Sequence, residues 1–393
     1  MKHAFIVPLI GGQVLGQERA LGSRPEYLLS YTPFKSNDSH IVNYYKDVPY
    51  HLLDEGSPEV KKVDVIGTTC PCAGLSTLSH HASPDAAANE WMYRTAEYVL
   101  ENLRPEVFWG ENSPQFAGKI GQPVVQRLLS IARLNDYSMS IYRTRSLLHG
   151  LPQVRERSFY FFWRGEKVPL LNYYSRDIRP IEKVLDSVPK RAKQRELTNH
   201  HTPSKFDPFY RFVLEKAEGG ISHSEFYDRI DKTYDAMNYL ESKGHTYDKV
   251  GEWLREQGDE RAAARCDRIF AKLGAGGNIM RRQTTVPKQH IGAFVGHLPT
   301  SLTHYREDRY LTVRECMAIM DLPSDFELLD PKSNLNHVCQ NVPVSTAADM
   351  AHEVSEALNG RRERVDAYLV KQWNKSQEHE IVDYKRNTVL EFV

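Results

Sequence analysis

Short apolar runs that alternate with amphipathic segments over residues 1–165 are the feature that most constrains how this 393-residue chain can fold. Strand–helix alternation of this kind is typical of a doubly wound α/β sheet, in which ligands gather at the carboxyl ends of the strands. The loops that follow the third and fourth apolar runs would lie at that edge. We predict strands over 4–10, 26–31, 63–67, 105–109, 138–143 and 158–163, and helices over 13–21, 90–102 and 124–135.

The residue composition and the hydrophobic pattern of the sequence change near residue 165 and change back near residue 306. Between these points the chain is polar, mostly helical in pattern and locally basic, and residues 176–195 carry seven Lys and Arg against three acids. We therefore predict a larger α/β domain interrupted by a smaller one. The predicted limits are 1–165 and 306–360 for the larger domain, 166–305 for the smaller one, and 361–393 for a charged C-terminal extension that begins as a helix.

Composition excludes several classes of protein. Lys and Arg total 51 and Asp and Glu total 51, so bulk positive charge cannot be what holds nucleic acid. Five cysteines are too few and too scattered for a disulfide framework or a zinc site. We expect a cytoplasmic monomer without signal peptide, membrane-spanning helix or bound metal. Aromatic side chains at helical spacing in the smaller domain are predicted to be core, namely those of 206–210, Tyr227, Tyr234 and Tyr239.

Side chains suited to chemistry follow the predicted strands. Cys72 follows the run at 63–67 on a turn fixed by proline, where a thiol can act as a nucleophile. Glu111 follows the run at 105–109 and could donate a proton. Arg155 and Arg157, two residues apart on a strand, would share a face and could hold that carboxylate and a ligand oxygen. Taken alone, each has an ordinary structural explanation: Cys72 could be a packed thiol, Glu111 could belong to a helix cap, and the two arginines could lie on an exposed strand edge.

Taken in order, these segments resemble the motifs of the DNA (cytosine-5)-methyltransferase family. The resemblance covers about residues 4–360 and places the variable target-recognition region of the family at 166–305. The residues that carry it are Pro71-Cys72, Glu111-Asn112, the Gln-x-Arg-x-Arg segment at 153–157, the Arg-x-Leu-Thr-x-Arg-Glu segment at 309–315 and Asn341-Val342-Pro343.

The resemblance implies an S-adenosylmethionine-dependent enzyme with a Rossmann-like sheet that methylates a cytosine flipped out of double-stranded DNA. Cys72 would attack C6 of the cytosine, which makes C5 nucleophilic. Glu111 would donate to ring N3, Arg155 would orient Glu111, and Arg157 would hold the cytosine O2. Two further residues would contact the DNA, Ser76 in the catalytic loop and Gln153.

The cofactor end departs from the family pattern. The first motif of the family is Phe-x-Gly-x-Gly-Gly, whereas residues 7–12 here read VPLIGG. Leu9 replaces the first glycine, so we expect it to crowd or reshape the approach of a ligand to the backbone. Thr32 stands where the family has the acid for the ribose, and Asp38 could substitute for that acid. The implied cofactor-binding residues are Pro8, Leu9, Ile10, Gly11, Gly12, Thr32, Asp54 and Asn341.

Several interpretations stay open at this stage. The chain could bind S-adenosylmethionine in a divergent pocket, could transfer a different one-carbon or larger group by the same chemistry, or could be a non-catalytic DNA-binding relative. RNA could also replace DNA as the substrate. Basic side chains of the smaller domain are candidate phosphate contacts, which would set affinity and salt dependence rather than sequence choice. These are Arg179, Lys190, Arg191, Lys193, Arg281 and Arg282.

Overall fold

The computed structural model describes residues 1–56, 58–71, 73–76, 82–277, 284–296 and 298–384. Its strands, in chain order, are β1 (His3–Ile6), β2 (Leu28–Ser30), β3 (Tyr50–Leu52), β4 (Val65–Thr68), β5 (Val107–Asn112), β6 (Tyr137–Arg145), β7 (Glu156–Arg164), β8 (Lys167–Pro169), β9 (Tyr234–Asp235), β10 (Thr285–Val286), β11 (Arg364–Trp373) and β12 (Glu378–Tyr384).

The helices connect these strands and build the middle of the chain. In chain order they are α1 (Gly12–Leu21), α2 (Lys35–Tyr44), α3 (Glu90–Tyr98), α4 (Gln122–Leu134), α5 (Ile181–Asp186), α6 (Pro203–Phe206), α7 (Pro208–Phe212), α8 (His223–Arg229), α9 (Ala236–Ser242), α10 (Tyr247–Glu256), α11 (Glu260–Gly274), α12 (Val313–Ile319), α13 (Pro331–Gln340) and α14 (Val344–Leu358).

One ten-stranded sheet organises the described part of the chain, in the order β3-β2-β1-β4-β5-β7-β6-β11-β12, with β8 paired to β11. The strands from β3 to β5 are parallel, β7 is antiparallel to β5 and to β6, and β11 runs parallel to β6. The prediction of an α/β fold with a mostly parallel sheet is confirmed. The carboxyl ends of β1, β4 and β5 meet at one edge, where ligands bind in sheets of this type.

Both faces of the sheet are covered, which explains why its strands read as apolar runs rather than as alternating ones. In β4, Ile66 packs on the face covered by α3 and α4, whereas Val65 packs on the face covered by α14. Helix α14 lies against α1, and a Cβ atom at Gly16 would come within 2.5 Å of Ala347 Cβ. Gly16 therefore permits the close approach that holds the closing helix beside the start of the chain.

The middle of the chain has a hydrophobic core of its own, formed by residues from Phe209 to Val286. In contrast, Ile181 and Leu302 pack into the core beside α1 and α12. We therefore propose that 203–286 is the compact helical unit inside the predicted target-recognition region. The prediction of buried aromatic residues holds for Tyr210 and Tyr239, but it is wrong for Phe206, which is 53% exposed and stacks on His201.

Two further features differ from the predicted elements. The extension after residue 360 does not begin as a helix, because residues 364–373 form β11, whose side chains Ala367, Leu369 and Val370 are buried. The helix predicted over 90–102 ends as an α-helix at Tyr98 and continues as a π-helical turn over Val99–Leu103. Within the described residues, no helix combines the length and apolar character needed to cross a bilayer.

Candidate active site

The loop that carries Cys72 is joined to the end of β5. Cys72 itself lies outside the described residues, but its neighbours on both sides are described. The Ser113 hydroxyl, which follows the Glu111-Asn112 pair, donates to the backbone carbonyl of Leu75 at 2.6 Å. The side-chain amide of Asn89 donates to the backbone carbonyls of Ser83 and Pro84. These two hydrogen bonds hold the C-terminal end of the same loop. Two motifs that are far apart in sequence are therefore brought together at this edge of the sheet.

The other cysteine of this loop has a different environment. Cys70 is buried, and its Sγ lies 3.3 Å from Thr68 Oγ1 and 3.5 Å from Thr95 Oγ1. Burial raises the pKa of the Cys70 thiol above its usual value, although both hydroxyl contacts oppose this shift. A neutral buried thiol is a poor nucleophile, so Cys70 has a packing role.

A buried ion pair lies at the centre of the site. Arg157 Nε lies 2.5 Å from Glu111 Oε1, and the two side chains are 17% and 5% exposed. Strand pairing positions them, because β5 and β7 are antiparallel neighbours with Glu111 opposite Phe159 and Asn112 opposite Ser158. The glutamate is thus held by a fixed cation with one side of the pair accessible, an arrangement suited to binding a polar planar ligand.

The roles predicted for the two arginines are corrected by these contacts. Glu111 pairs with Arg157, not with Arg155 as the resemblance implied. Arg155 is 2% exposed, and its Nη1 donates to the carbonyls of Phe294 and Cys339. The physical reason is that Arg155 precedes β7, so the two-residue periodicity of a strand does not apply to it. Arg155 therefore fastens the start of β7 to the last turn of α13.

Gln153 was predicted to contact DNA, and its position argues against that role. The side chain is fully buried, and Nε2 donates to the carbonyl of Ile319 at 3.1 Å. The segment at 309–315 is also used for folding: Thr312 and Glu315 form the capping box of α12, and Arg309 binds both oxygens of Glu315 at 2.9 Å. These motif residues stabilise the scaffold around the site.

The loop after β1 follows an unusual backbone path. Val7 and Leu9 have positive φ angles of 53° and 50°, in the left-handed region that glycine adopts most easily. The backbone N–H of Leu9 donates to Asp38 Oδ1 at 2.8 Å, and the Tyr50 hydroxyl donates to the other oxygen. Leu9 thus adopts a backbone conformation that glycine favours, and its hydrogen bond to Asp38 holds the loop in this conformation.

The two retained glycines of this loop are required by packing within the chain. A Cβ atom at Gly11 would lie 2.5 Å from Ile41, and one at Gly12 would lie 2.1 Å from the carbonyl of Val342. The N–H of Gly12 donates to Asn341 Oδ1 at 2.8 Å. Asn341 is 2% exposed, and its Nδ2 has no hydrogen-bond partner within the described structure. Pro8 and Ile10 are buried beside this loop.

Thr32 and Asp54 lie together at the carboxyl ends of β2 and β3. The N–H of Thr32 donates to both oxygens of Asp54, at 2.9 and 3.1 Å, and both residues are exposed. Although desolvation opposes it, these hydrogen bonds hold the pKa of Asp54 below its usual value. An ionised, exposed carboxylate at this edge retains lone pairs for hydroxyl groups of a ligand.

The remaining predicted DNA contacts are only partly described. Arg179, Lys190, Arg191 and Lys193 are exposed, and Ser76 is half-buried in the loop after Leu75. Arg281 and Arg282 lie outside the described residues. Among the described residues there is no group of three or more His, Cys, Asp or Glu side chains that could hold a metal ion.

Sequence reasoning missed two histidines of this site. His40 on α2 and His337 on α13 are in contact, with His40 Nε2 at 3.0 Å from His337 Nδ1. His337 lines a small cavity together with Leu9 and Asn341. No local sequence pattern predicts this contact, because the two histidines are 297 positions apart and each lies in a helical segment without a recognisable motif.

Comparison with known proteins links this geometry to one family. The family model described as C-5 cytosine-specific DNA methylase matches residues 37–356. No curated protein sequence matches the chain.

The chain is also similar in fold to solved structures of methyltransferases. A chain described as a DNA modification methyltransferase encoded within an E. coli prophage is 15% identical with a TM-score of 0.57, and the match covers 91% of this chain and 99% of that one. Entamoeba histolytica methyltransferase EhMeth is 12% identical with a TM-score of 0.51, covering 91% and 98%. S. pombe Dnmt2 methyltransferase is 12% identical with a TM-score of 0.51, covering 91% and 99%.

Proposed function

Because the chain belongs to the family of C-5 cytosine-specific DNA methylases, we propose that it transfers a methyl group to C5 of a cytosine flipped out of double-stranded DNA. The observation that carries this proposal is the buried Glu111–Arg157 pair, which Ser113 ties to the loop bearing Cys72. A carboxylate and a guanidinium side by side complement the amine, ring nitrogen and carbonyl edge of cytosine.

In the proposed mechanism, the base is activated by proton transfer and covalent attack. Glu111 in its protonated form accepts a hydrogen bond from the exocyclic amine on one oxygen and donates the proton of the other oxygen to N3, while Arg157 donates to O2. The Cys72 thiolate forms a bond to C6, and the electron pair of the C5–C6 double bond becomes available at C5. After the methyl group is bonded to C5, a base removes the C5 proton, the C5–C6 double bond re-forms, the thiolate leaves C6 and N3 returns its proton to Glu111.

The residues at the cofactor end fit S-adenosylmethionine, the usual donor of the family. When bound, it would supply an electrophilic methyl group. Asn341 offers a buried amide donor that has no hydrogen-bond partner among the described residues, and Asp54 offers an exposed carboxylate for ribose hydroxyls. Leu9 has a positive φ angle, a conformation that glycine favours, which supports divergence of this pocket rather than its loss.

The test is to incubate the purified chain with duplex DNA and S-adenosylmethionine, and to analyse the nucleosides by mass spectrometry. We expect 5-methylcytosine, and we expect Cys72→Ala to lower its yield below detection. Cys70→Ala is the matched control, because it removes a thiol two residues away that burial keeps neutral, and it should retain most of the activity.

Two outcomes would overturn the proposal. The first is that no modified nucleoside forms although duplex DNA is bound. The second is product from Cys72→Ala at the rate of the unaltered chain. RNA incubated in parallel separates the two substrates, since a product confined to RNA would replace DNA in the proposal and leave the chemistry unchanged.

A further inference from the structure

Three charged side chains, which we call the Glu156 cluster, lie where the pairing of β6 with β7 ends, beside the active site. Arg143 Nε donates to Glu156 Oε1 at 2.5 Å, and Arg145 Nε donates to Glu156 Oε2 at 3.3 Å. The side chains of Arg143, Arg145 and Glu156 are 35%, 33% and 25% exposed. Because two guanidinium groups share one carboxylate, the cluster carries an excess of one positive charge in reach of solvent.

Glu156 holds both arginines by the same atom and leaves their outer donors for a ligand. Each guanidinium binds the carboxylate through Nε, and no hydrogen bond within the described part of the chain uses the Nη atoms of Arg143 or Arg145. The Nη atoms carry four of the five N–H donors of a guanidinium, and two such donors side by side complement a phosphate. An ion pair that only joined β6 to β7 would need one arginine, so the second arginine points to an anionic ligand.

The two-residue period of β6 places both arginines on one face of the sheet. Ile141 of β6 packs in the core under α3 and α4, and the same core contains Leu75 of the loop that carries Cys72. Arg143 and Arg145 continue the series of Ile141 beyond this core, at the carboxyl end of β6. They therefore extend from the face of the sheet on which Leu75 lies.

The Glu156 cluster is also joined to the active site through the backbone. The carbonyl of Glu156 accepts from Arg157 Nη1 at 2.8 Å. In the strand register Thr144 is opposite Arg157, so Arg143 and Arg145 lie on either side of that position along β6. From the spacing of neighbouring strands and successive residues, the Cα atoms of both are about 6 Å from that of Arg157. The cluster is thus within reach of the nucleotide whose base meets Arg157.

We propose that Arg143 and Arg145, positioned by Glu156, bind one phosphate of the duplex backbone beside the flipped cytosine. This inference rests on the proposed function, because it takes duplex DNA as the substrate. The excess of one positive charge matches one phosphate, and the two guanidinium groups can donate to its two non-bridging oxygens. The contact holds the backbone of the target strand at the edge of the sheet while Arg157 binds the base.

The salt dependence of DNA binding tests this contact. Fluorescence anisotropy of the full chain with a labelled duplex over a salt series gives the slope of log Kobs against log salt concentration. Arg143→Gln and Arg145→Gln each leave one arginine paired with Glu156, and so each removes the excess charge. Each should lower the magnitude of the slope by about 0.9, the value for one phosphate, and should weaken binding about 8-fold at about 0.1 M salt.

Arg164→Gln is the matched control. Arg164 is also on β7, is also 33% exposed, and pairs with the Glu106 carboxylate at 3.1 Å. It lies at the opposite end of the β6–β7 pair, where it faces Tyr137, and so it is far from the active site. This variant has the same change in net charge and should keep the slope of the unaltered chain. Thermal melts of each variant establish that the fold is intact.

A double variant separates the shape of the contact from its charge. Arg143→Lys combined with Arg145→Lys keeps the net charge, but an ammonium group lacks the fork that lets a guanidinium bind Glu156 and a phosphate together. The double variant should keep the slope and weaken binding about 3- to 10-fold, the value expected for the loss of about one hydrogen bond. Unchanged affinity would mean that the cluster acts by charge alone, and would overturn the proposed contact.

The outcomes separate this inference from the proposed function. If the unaltered chain does not bind duplex DNA, the proposed function itself fails. If it binds duplex DNA and forms 5-methylcytosine, but Arg143→Gln and Arg145→Gln change the slope no more than Arg164→Gln does, the proposed function stands and the phosphate contact is wrong.

Discussion

At the scale of single residues, two arginines two positions apart perform different tasks. Arg157 forms an ion pair with Glu111 at the active site, whereas Arg155 donates hydrogen bonds to two backbone carbonyls. The sequence predicts that both arginines belong to the active site, because both are part of the Gln-x-Arg-x-Arg segment. It could not separate them, because the start of β7 lies between them and only the folded backbone decides where a strand begins.

Replacing each arginine by lysine tests this division. Arg155→Lys should lower the free energy of unfolding by about 1–3 kcal/mol, because one ammonium cannot reproduce the geometry of the guanidinium among buried carbonyls. Arg157→Lys should lower the rate of methylation about 100-fold with a smaller loss of stability, because its side chain is partly exposed. Urea unfolding and single-turnover kinetics measure the two effects. Equal losses of stability in both variants would contradict the division.

At the scale of elements, the strands of the sheet centre were predictable and its edges were not. The apolar runs that became β1, β4 and β5 are buried on both faces, so composition alone identifies them. Strand β3 has three residues and half-exposed side chains at Tyr50 and His51, which leaves no periodic signal. The sequence of β11 predicts a helix because its charged residues obscure the alternation of its buried ones, whereas in the structure it pairs with β6, β8 and β12.

The hairpin of β11 and β12 is fastened to the sheet by Asn374. Its side chain accepts from the N–H of Tyr174 at 2.7 Å and donates to Thr144 Oγ1 at 2.8 Å, and it is 1% exposed. Asn374→Ala should therefore lower the free energy of unfolding by about 1–3 kcal/mol. Asn359→Ala, at an exposed position after α14, should change it by less than about 0.5 kcal/mol. Urea unfolding of both variants checks this, and similar midpoints would contradict it.

The contact between α2 and the loop after β1 predicts a pH dependence. Burial raises the pKa of Asp38 to about 7, against the opposing effect of its hydrogen bonds, so the folded chain holds this proton to a higher pH than the unfolded chain. The folded state binds more protons between about pH 4 and 7, and the contribution of Asp38 to stability falls as the pH rises through that range.

Asp38→Asn removes this titration while its side-chain oxygen can still accept from the N–H of Leu9. Relative to the unaltered chain, the variant should gain about 2–4 kcal/mol of unfolding free energy between pH 4.5 and pH 8. Urea unfolding at several pH values measures the gain. Asp228→Asn, at an exposed position on α8, is the control. A stability difference that does not vary with pH would show that Asp38 does not titrate in this range.

At the scale of the whole molecule, the zero net charge shapes how DNA could be bound. A neutral chain gains nothing from bulk attraction, so any affinity for phosphate must come from local clusters of basic side chains. The amino-acid composition of residues 176–195 predicts one such basic cluster. Composition did not show which cations are available: Arg176 is exposed but binds Asp349 at 2.6 Å, whereas Arg179, Lys190 and Arg191 are exposed and form no ion pair among the described residues.

This argument predicts the salt dependence of DNA binding. Each phosphate contact contributes about 0.9 to the slope of log Kobs against log salt concentration, so a variant with Arg179, Lys190 and Arg191 replaced by alanine should lose up to about 2.7 of that slope. Lys2, Lys46 and Lys62 are also exposed, but they precede β1, β3 and β4 and so lie at the amino ends of the strands, away from the site. Their triple alanine variant has the same change in net charge and should keep the slope. Fluorescence anisotropy with a labelled duplex across a salt series measures both. Equal losses of slope would mean that the duplex responds to net charge, and the cluster at 176–195 would then have no special role in binding it.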